Sequence, residues 1–398
     1  MYNSKVVLIV TLFAIGCGPP PEPVSLVVTT TTVIDPSSRQ VLADHSVFID
    51  TGRIIAVSPS DARARYIAAD TVDGTDKFLI PGLLDLHVHV PRDEVLEDQT
   101  LDLLLANGVT GVRDMASDCW VPVEGTRCAE GLRAIGADID AGQRAGPRIL
   151  SVASASVNGV QQRASLPEGA MPFYAPETAS DGRQLAGHLA ERPIDVVKVY
   201  NSVPRAAYFA LVEEASRLGL EVSGHLPLGV SVLEASNAGQ RTIEHARDLP
   251  VACSSYSAAY RGIMSDINDG ADDVAAPSAE VRNRSILESF DQAACADVLA
   301  ALVANGTYLV PTHGTREMDF RAGEQEYRDD PRMRFVDPRL LEGWNSDLDR
   351  TAEATPELVA LYGDFYRLGL RLTAMAHETG VRVLVGTDAK MSLKRRAR

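Results

Sequence analysis

The chain has 398 residues, 45% of them hydrophobic and 23% charged, with a net charge of −16. That length suits one large domain plus a small one, and the composition is that of a globular chain with a real core, which argues against extensive disorder. The acidic balance argues against nucleic acid as a partner, because phosphate binding needs a basic patch.

In chain order, residues 1–17 read as a lipoprotein signal peptide. Lys5 precedes an apolar run over 6–15 that is too short to span a bilayer. The run ends in Ala14-Ile15-Gly16-Cys17, which resembles a bacterial lipobox, with Cys17 as the lipidated residue. The expectation is an exported protein of the bacterial cell envelope, on the periplasmic or extracellular face, held to the membrane by a lipid anchor only. Residues 18–24, with Gly18-Pro19-Pro20-Pro21-Glu22-Pro23, are expected to form an irregular tether. Four cysteines follow, and an even number in an oxidising compartment permits disulfides. Three connectivities are possible; the local choice pairs Cys119 with Cys128 and Cys253 with Cys295.

Residues 25–79 read as a small β-domain. The stretch 25–33 is rich in Val and Thr, and the runs 45–50 and 53–57 flank Thr51-Gly52, a hairpin signal. From residue 80 short apolar runs alternate with helix-like segments, the pattern of βαβ units. Eight such runs lie at 79–90, 108–115, 148–155, 196–200, 221–226, 242–246, 308–313 and 382–389. Helical spacing covers 206–218, 231–238 and 358–379, each followed by a glycine. Eight parallel strands with helical crossovers predict an α/β fold, a (β/α)8 TIM barrel over 80–390. No Gly-rich dinucleotide fingerprint follows the first strand, which disfavours an open doubly wound sheet.

Polar residues gather at the C-terminal ends of these strands, where barrel enzymes build their sites. The first run carries Asp85-Leu86-His87-Val88-His89; residues two apart on a strand share a face, so His87 and His89 both project to the barrel mouth. Two imidazoles so placed suit Zn²⁺ or a similar ion. Lys198 sits inside the apolar run Val196-Val197-Lys198-Val199-Tyr200. Such a lysine either extends its tip to solvent or is buried with a lowered pKa, and a neutral amine can take up CO₂ as a carbamate. His225 and His245 end the fifth and sixth runs, and Asp388 ends the eighth, where it is either a helix N-cap or a metal ligand and proton acceptor. Tyr200 and His313 are candidate substrate contacts. Arg113 and Asp114, ending the second run, are either further rim candidates or a structural ion pair, and His45, His188 and His377 read as structural or surface residues.

The ordered set His87-x-His89, Lys198, His225, His245 and Asp388 resembles the amidohydrolase superfamily, in its imidazolonepropionase-like and Xaa-Pro dipeptidase-like branch. The resemblance implies a metal-dependent hydrolase of C–N bonds in an amide, dipeptide or cyclic amide. It implies two divalent metal ions, Zn²⁺ first among the candidates, with His87, His89 and Asp388 on the more buried ion and His225 and His245 on the other. A carboxylated Lys198 would bridge them, and Asp388 would be the catalytic proton acceptor. The implied partner is a small-molecule substrate; the oligomeric state is open. Members of the family continue through an eighth barrel helix and return to the small β-domain, whereas residues 391–398 form a basic tail. A truncated barrel without its last helix is therefore expected. The alternatives are a degenerate, non-catalytic surface lipoprotein and a related hydrolase of esters or lactones.

Overall fold

The structure, a computed structural model, describes residues 20–61, 65–120, 127–160 and 173–390. The expected signal peptide with Cys17, and the tail 391–398, lie outside the described residues. Two compact units divide at Gly82 and Leu83.

The first unit is a five-stranded sheet built on Glu22–Asp35, which pairs antiparallel with Gln40–Asp50 and parallel with Tyr66–Asp73 and Phe78–Leu79. Arg53–Pro59 completes the hairpin with Gln40–Asp50. Its turn is Thr51-Gly52, with φ of 48° and 74°, and positive φ at both central residues is what a two-residue turn between twisted strands requires. The long strand begins inside the expected tether: Glu22 and Pro23 stand opposite Tyr66 and Ile67. Pairing with Gln40–Asp50 starts only at Leu26, so Pro23 occupies an edge, where its missing N–H withholds no ladder bond.

The second unit is the (β/α)8 barrel. Its strands are, in order, Leu83–His89, Val109–Asp114, Arg148–Val152, Val196–Val199, Glu221–Gly224, Thr242–Glu244, Tyr308–Val310 and a last strand in two pieces, Arg382–Val383 and Ala389–Lys390. Every neighbouring pair is parallel, and a bridge from Ala153 to Val196 joins the third strand to the fourth. The last strand closes the ring. Arg382 and Val383 pair with Tyr308 and Leu309, while Ala389 pairs with Val88 and the Val385 carbonyl accepts from Leu86 N–H at 2.8 Å.

Two of the expected strands are cut shorter than their apolar runs. Run 79–90 breaks at Pro81-Gly82, so Leu79 belongs to the small sheet and the barrel strand starts at Leu83. The eighth run loses regular pairing between its two pieces, where Asp388 takes a φ of 53°. Strand interiors such as Val112, Val197, Val199, Val222 and Ile243 are buried in one apolar core, as strands covered on both faces must be. The helices Arg205–Arg217, Val232–Ala238 and Pro356–Thr379 sit where the 3.6-residue spacing places them. Ser231 and Glu234 form a reciprocal capping box on the second of these. Cys119 is bonded to Cys128 and Cys253 to Cys295, both pairs within the barrel unit. Among the described residues no helix is long and apolar enough to cross a membrane.

Candidate metal centre

The strand ends bring His87, His89, Lys198, His225, His245 and Asp388 to one place at the barrel mouth. His87 and Lys198 are fully buried, and His225 and Asp388 nearly so. Lys198 Nζ lies 3.3 Å from His87 Nε2, and Asp388 Oδ1 lies 3.1 Å from His89 Nε2 and 3.6 Å from His87 Nε2. His245 Nδ1 is 3.7 Å from Asp388 Oδ2, and the His225 and His245 rings are 4.4 Å apart. Ligand atoms of His87, His245 and Asp388 all fall within 4.8 Å of one another. That trio cuts across the two ligand sets implied by the resemblance, with His89 flanking it beside Asp388 and His225 beside His245.

Local backbone geometry aims these groups. His245, Thr312 and Asp388, at the ends of the sixth, seventh and eighth strands, have φ of 68°, 42° and 53°. Each is a left-handed conformation that costs a non-glycine residue about 1–3 kcal/mol and clusters at functional sites. Asp388 is pinned by its N–H to the His87 carbonyl at 2.8 Å. Beside it, Asp85 accepts from the Thr387 N–H at 3.0 Å and the Thr387 hydroxyl at 2.6 Å, and from the His87 N–H at 3.2 Å, tying the first strand to the eighth. At Gly224 a Cβ would come within 2.4 Å of the Val199 carbonyl oxygen, so only glycine lets the fifth strand pass this close to the lysine strand.

Burial lowers the pKa of three imidazoles, His87, His225 and His245, and of the lysine. Burial, together with the Lys198 charge, pushes His87 down to about 4. His225 and His245 are held well below the usual histidine range, first by burial. Burial also pushes the Lys198 amine down to about 8 against the pull of Glu244 and Asp388. Burial alone would raise Glu244, but Arg113, His87 and Lys198 together hold its carboxyl at about 2. His87 Nδ1 donates to Glu244 at 2.6 Å, leaving its Nε2 lone pair directed into the cluster, the arrangement by which a carboxylate orients a ligating histidine. His225 Nδ1 and His245 Nε2 are buried with no hydrogen-bond partner among the described residues. Neutral, buried imidazole nitrogens without partners are the donors a divalent ion takes up, so the residues present fit a metal.

No family model matches the chain. In sequence it is 36% identical over 89 residues to an adenine deaminase of Lactiplantibacillus plantarum and 34% identical over 89 residues to adenine deaminase 2 of Shouchella clausii. Each match spans 22% of this chain and only 15% of the relative. In structure it resembles bottromycin amidohydrolase (TM-score 0.61, 21% identity), covering 92% of this chain and 70% of that one. A. niger ochratoxinase (0.58, 17%) is covered over 92% and 77%, and a Xaa-Pro dipeptidase with bound methionine in its active site (0.54, 18%) over 92% and 79%. The chain thus spans about 15% of the length of the curated relatives it matches, and it shares its fold with these solved structures.

Within this fold the remaining sequence candidates take other places. The Tyr200 ring packs on His225, with centroids 4.0 Å apart. His313 turns to the helix Pro356–Thr379, its Nε2 3.0 Å from the Thr373 hydroxyl. Arg113 and Asp114 do not pair with each other. Arg113 donates to Glu244 at 2.7 Å and to the Leu86 carbonyl at 2.6 Å, while Asp114 accepts from the Val90 and Ala116 N–H groups and the Ser117 hydroxyl. The reason is that residues adjacent on a strand point to opposite faces. His188 meets the Tyr174 hydroxyl at 3.3 Å. Sequence reasoning gave Glu244 and Asp85 no role, although both stand in the quoted motifs one and two residues from ligand candidates. A carboxylate inside an apolar strand beside a histidine is the signal that could have marked them.

Proposed function

We propose that this protein is a metal-dependent hydrolase that cleaves a C–N bond in a small substrate, with two divalent ions, Zn²⁺ first among the candidates, and with Lys198 carboxylated to help hold them. The observation that carries the reading is the convergence of His87, His245 and Asp388 ligand atoms within 4.8 Å, next to a fully buried lysine. His87, His89, His225, His245 and Asp388 would hold the ions. When bound, such ions supply Lewis acidity and lower the pKa of water.

The protein's own groups do the rest. Glu244 keeps the proton of His87 on Nδ1, so that Nε2 stays a donor. The Lys198 amine, with a pKa of about 8, is partly neutral near physiological pH, the form that reacts with CO₂. Asp388, whose N–H donates to the His87 carbonyl, would accept a proton from water and return it to the leaving nitrogen. Asp85 and Thr387 hold that loop in place.

The test is metal content per chain by elemental mass spectrometry on wild type and Lys198→Ala. A Zn²⁺-supplemented screen of Xaa-Pro, Xaa-Arg and hydrophobic dipeptides, cyclic amides, adenine, esters and lactones goes with it. About two ions in wild type, falling to one or fewer in the variant, with turnover of a C–N substrate, is the expected result. A folded, metal-loaded protein that turns over none of these substrates returns the reading to a non-catalytic lipoprotein. We further propose export to the cell envelope with a lipid on Cys17; the two disulfides support an oxidising compartment. Intact-mass measurement of the membrane fraction, against a Cys17→Ala variant, tests it.

A further inference from the structure

In the helical layer outside the barrel ring, a groove of about 310 Å³ lies between the helix Pro356–Thr379 and the turn that joins Ala279–Glu288 to Gln292–Asn305. The long helix contributes Leu368, Arg371, Leu372 and Met375. Their spacing is i, i+3, i+4 and i+7, so they form one stripe about 10 Å long. Leu368 and Leu372 belong to the buried core and make the floor. Leu287 and Phe290 stand across from them, with Phe290 42% exposed. That wall is held from behind. Phe290 forms an antiparallel bridge with Ser254, the Asp291 N–H donates to the Cys253 carbonyl at 2.8 Å, and Cys253 is bonded to Cys295. A groove so braced is preformed and needs little ordering on binding. Gly369 and Thr373, about a third of a turn round the same helix, face the ends of the sixth and seventh strands instead.

The groove carries a single charge, and it is positive in a chain whose net charge is −16. Arg371 has no hydrogen-bond or ion-pair partner among the described residues. Its own helix offers none, because the positions three and four away are Arg367, Leu368, Ala374 and Met375. One turn earlier, by contrast, Arg367 donates to Asp364 at 2.7 Å. The other polar residue of the lining is Gln292, which is uncharged. A lone guanidinium with a free planar fork matches one carboxylate, which it can take through two parallel N–H bonds. The aliphatic stripe beside it suits a flexible chain. A dry engineered cavity of about 150 Å³ accepts benzene, so about twice that volume suits a chain of about ten carbons. Seven residues line the groove, against about 20–30 on each side of a specific protein interface, which favours a small molecule over a second copy of the chain.

We propose that this groove is a binding site for a medium-chain aliphatic carboxylate, with the acid group on Arg371 and the chain along Leu368, Leu372 and Met375 beneath Phe290. The site is distinct from the cluster at the barrel mouth, and it stands whether or not the protein hydrolyses a C–N bond. Chain burial supplies most of the affinity, and the guanidinium selects the acid over an alcohol of the same length.

The test is calorimetric titration of the full chain, loaded with Zn²⁺, using decanoate, decanol and inorganic phosphate, repeated on Arg371→Gln and Phe290→Asp. Both side chains are exposed, and melting curves check that each variant is folded. One decanoate per chain is expected. It should bind at least about tenfold more tightly than decanol and at least about tenfold more weakly to either variant, which is the loss one charged hydrogen bond produces. Phosphate, with no chain to bury, should not compete. Carboxylates also bind metal ions, so the titration is repeated on metal-stripped protein, where decanoate binding should persist. No decanoate binding, equal binding of decanol, unchanged binding to folded Arg371→Gln, or loss of binding with the metal overturns the site. A dimer in light scattering that Phe290→Asp disperses also overturns it, since the groove would then belong to a second copy.

Discussion

The barrel mouth and the N-terminal sheet depart from the rule of apolar inside and polar outside in opposite directions. At the mouth Lys198 is 1% exposed, and His87 and Glu244 are fully buried. In the sheet Ile54, Ile67 and Phe78 are 60–70% exposed. Buried charge is the informative kind of exception, because each such group must be paired, neutralised or metal-bound. The mouth meets that demand through Arg113–Glu244–His87 and the lowered pKa of its amine and imidazoles. The sheet's exposed side chains carry no such demand. The lesson is that stability and chemistry are coupled in the barrel and separable in the sheet.

The sharpest way to expose that coupling is Asp388→Asn, which removes the proposed proton acceptor and metal ligand together. Turnover of the preferred substrate should fall by about 10²–10⁴-fold, checked as kcat alongside metal content. Next comes Glu244→Gln. It leaves Arg113 buried without its counter-charge and His87 without its orienting carboxylate. Urea unfolding should show a loss of about 3–5 kcal/mol, and metal titration a roughly 10–100-fold weaker affinity. An unchanged unfolding midpoint would mean that the mouth's charges are not what the barrel's stability depends on.

The two disulfides grade the barrel further. Cys253–Cys295 closes a separation of 42 residues and Cys119–Cys128 one of 9. On the chain-entropy account their removal by Cys→Ser pairs costs about 4 and about 3 kcal/mol, so denaturant curves should rank the longer loop first. pH probes the imidazoles. His87 has its folded pKa depressed from 6.5 to about 4, and His225 and His245 are depressed too. The unfolded state therefore binds more protons between these values. The His87 contribution is present above pH 6.5 and lost as pH falls through about 4, by on the order of 1 kcal/mol per pH unit, and those of His225 and His245 are likewise lost as pH falls below 6.5. Melting of the metal-stripped protein between pH 7 and 4 checks this, and a flat profile would contradict neutral burial. The smallest effect belongs to the sheet. Phe78→Thr should change stability by no more than about 0.5 kcal/mol while lowering binding of a hydrophobic dye.

Local chemistry accounts for what could be read in advance. Thr51-Gly52 announces its hairpin, the glycines after the long helices announce their ends, and period-two spacing puts His87 and His89 on one face. The strand-to-helix alternation leads to the barrel, and the barrel leads to the mouth. Less legible were interactions between residues far apart in the chain. Glu244 meets His87 across 157 positions and Asp85 meets Thr387 across 302, and no window of sequence contains such pairs. Arg113 shows the same limit: its neighbour Asp114 looked like its partner, but the strand sends the two side chains to opposite faces.

The amino-acid sequence by itself determined the element order, the barrel, and the strand-end positions of the metal-binding candidates. Periodicity and turn chemistry are local properties of the chain, and strand ends meet in any closed barrel. Only the tertiary structure decided that His87, His245 and Asp388 form the tightest trio, that Glu244 anchors His87, and that Phe290 and Arg371 share one groove. Those outcomes depend on strand stagger, left-handed turns at the strand ends and the burial of each charge, and these arise only when the ring is closed.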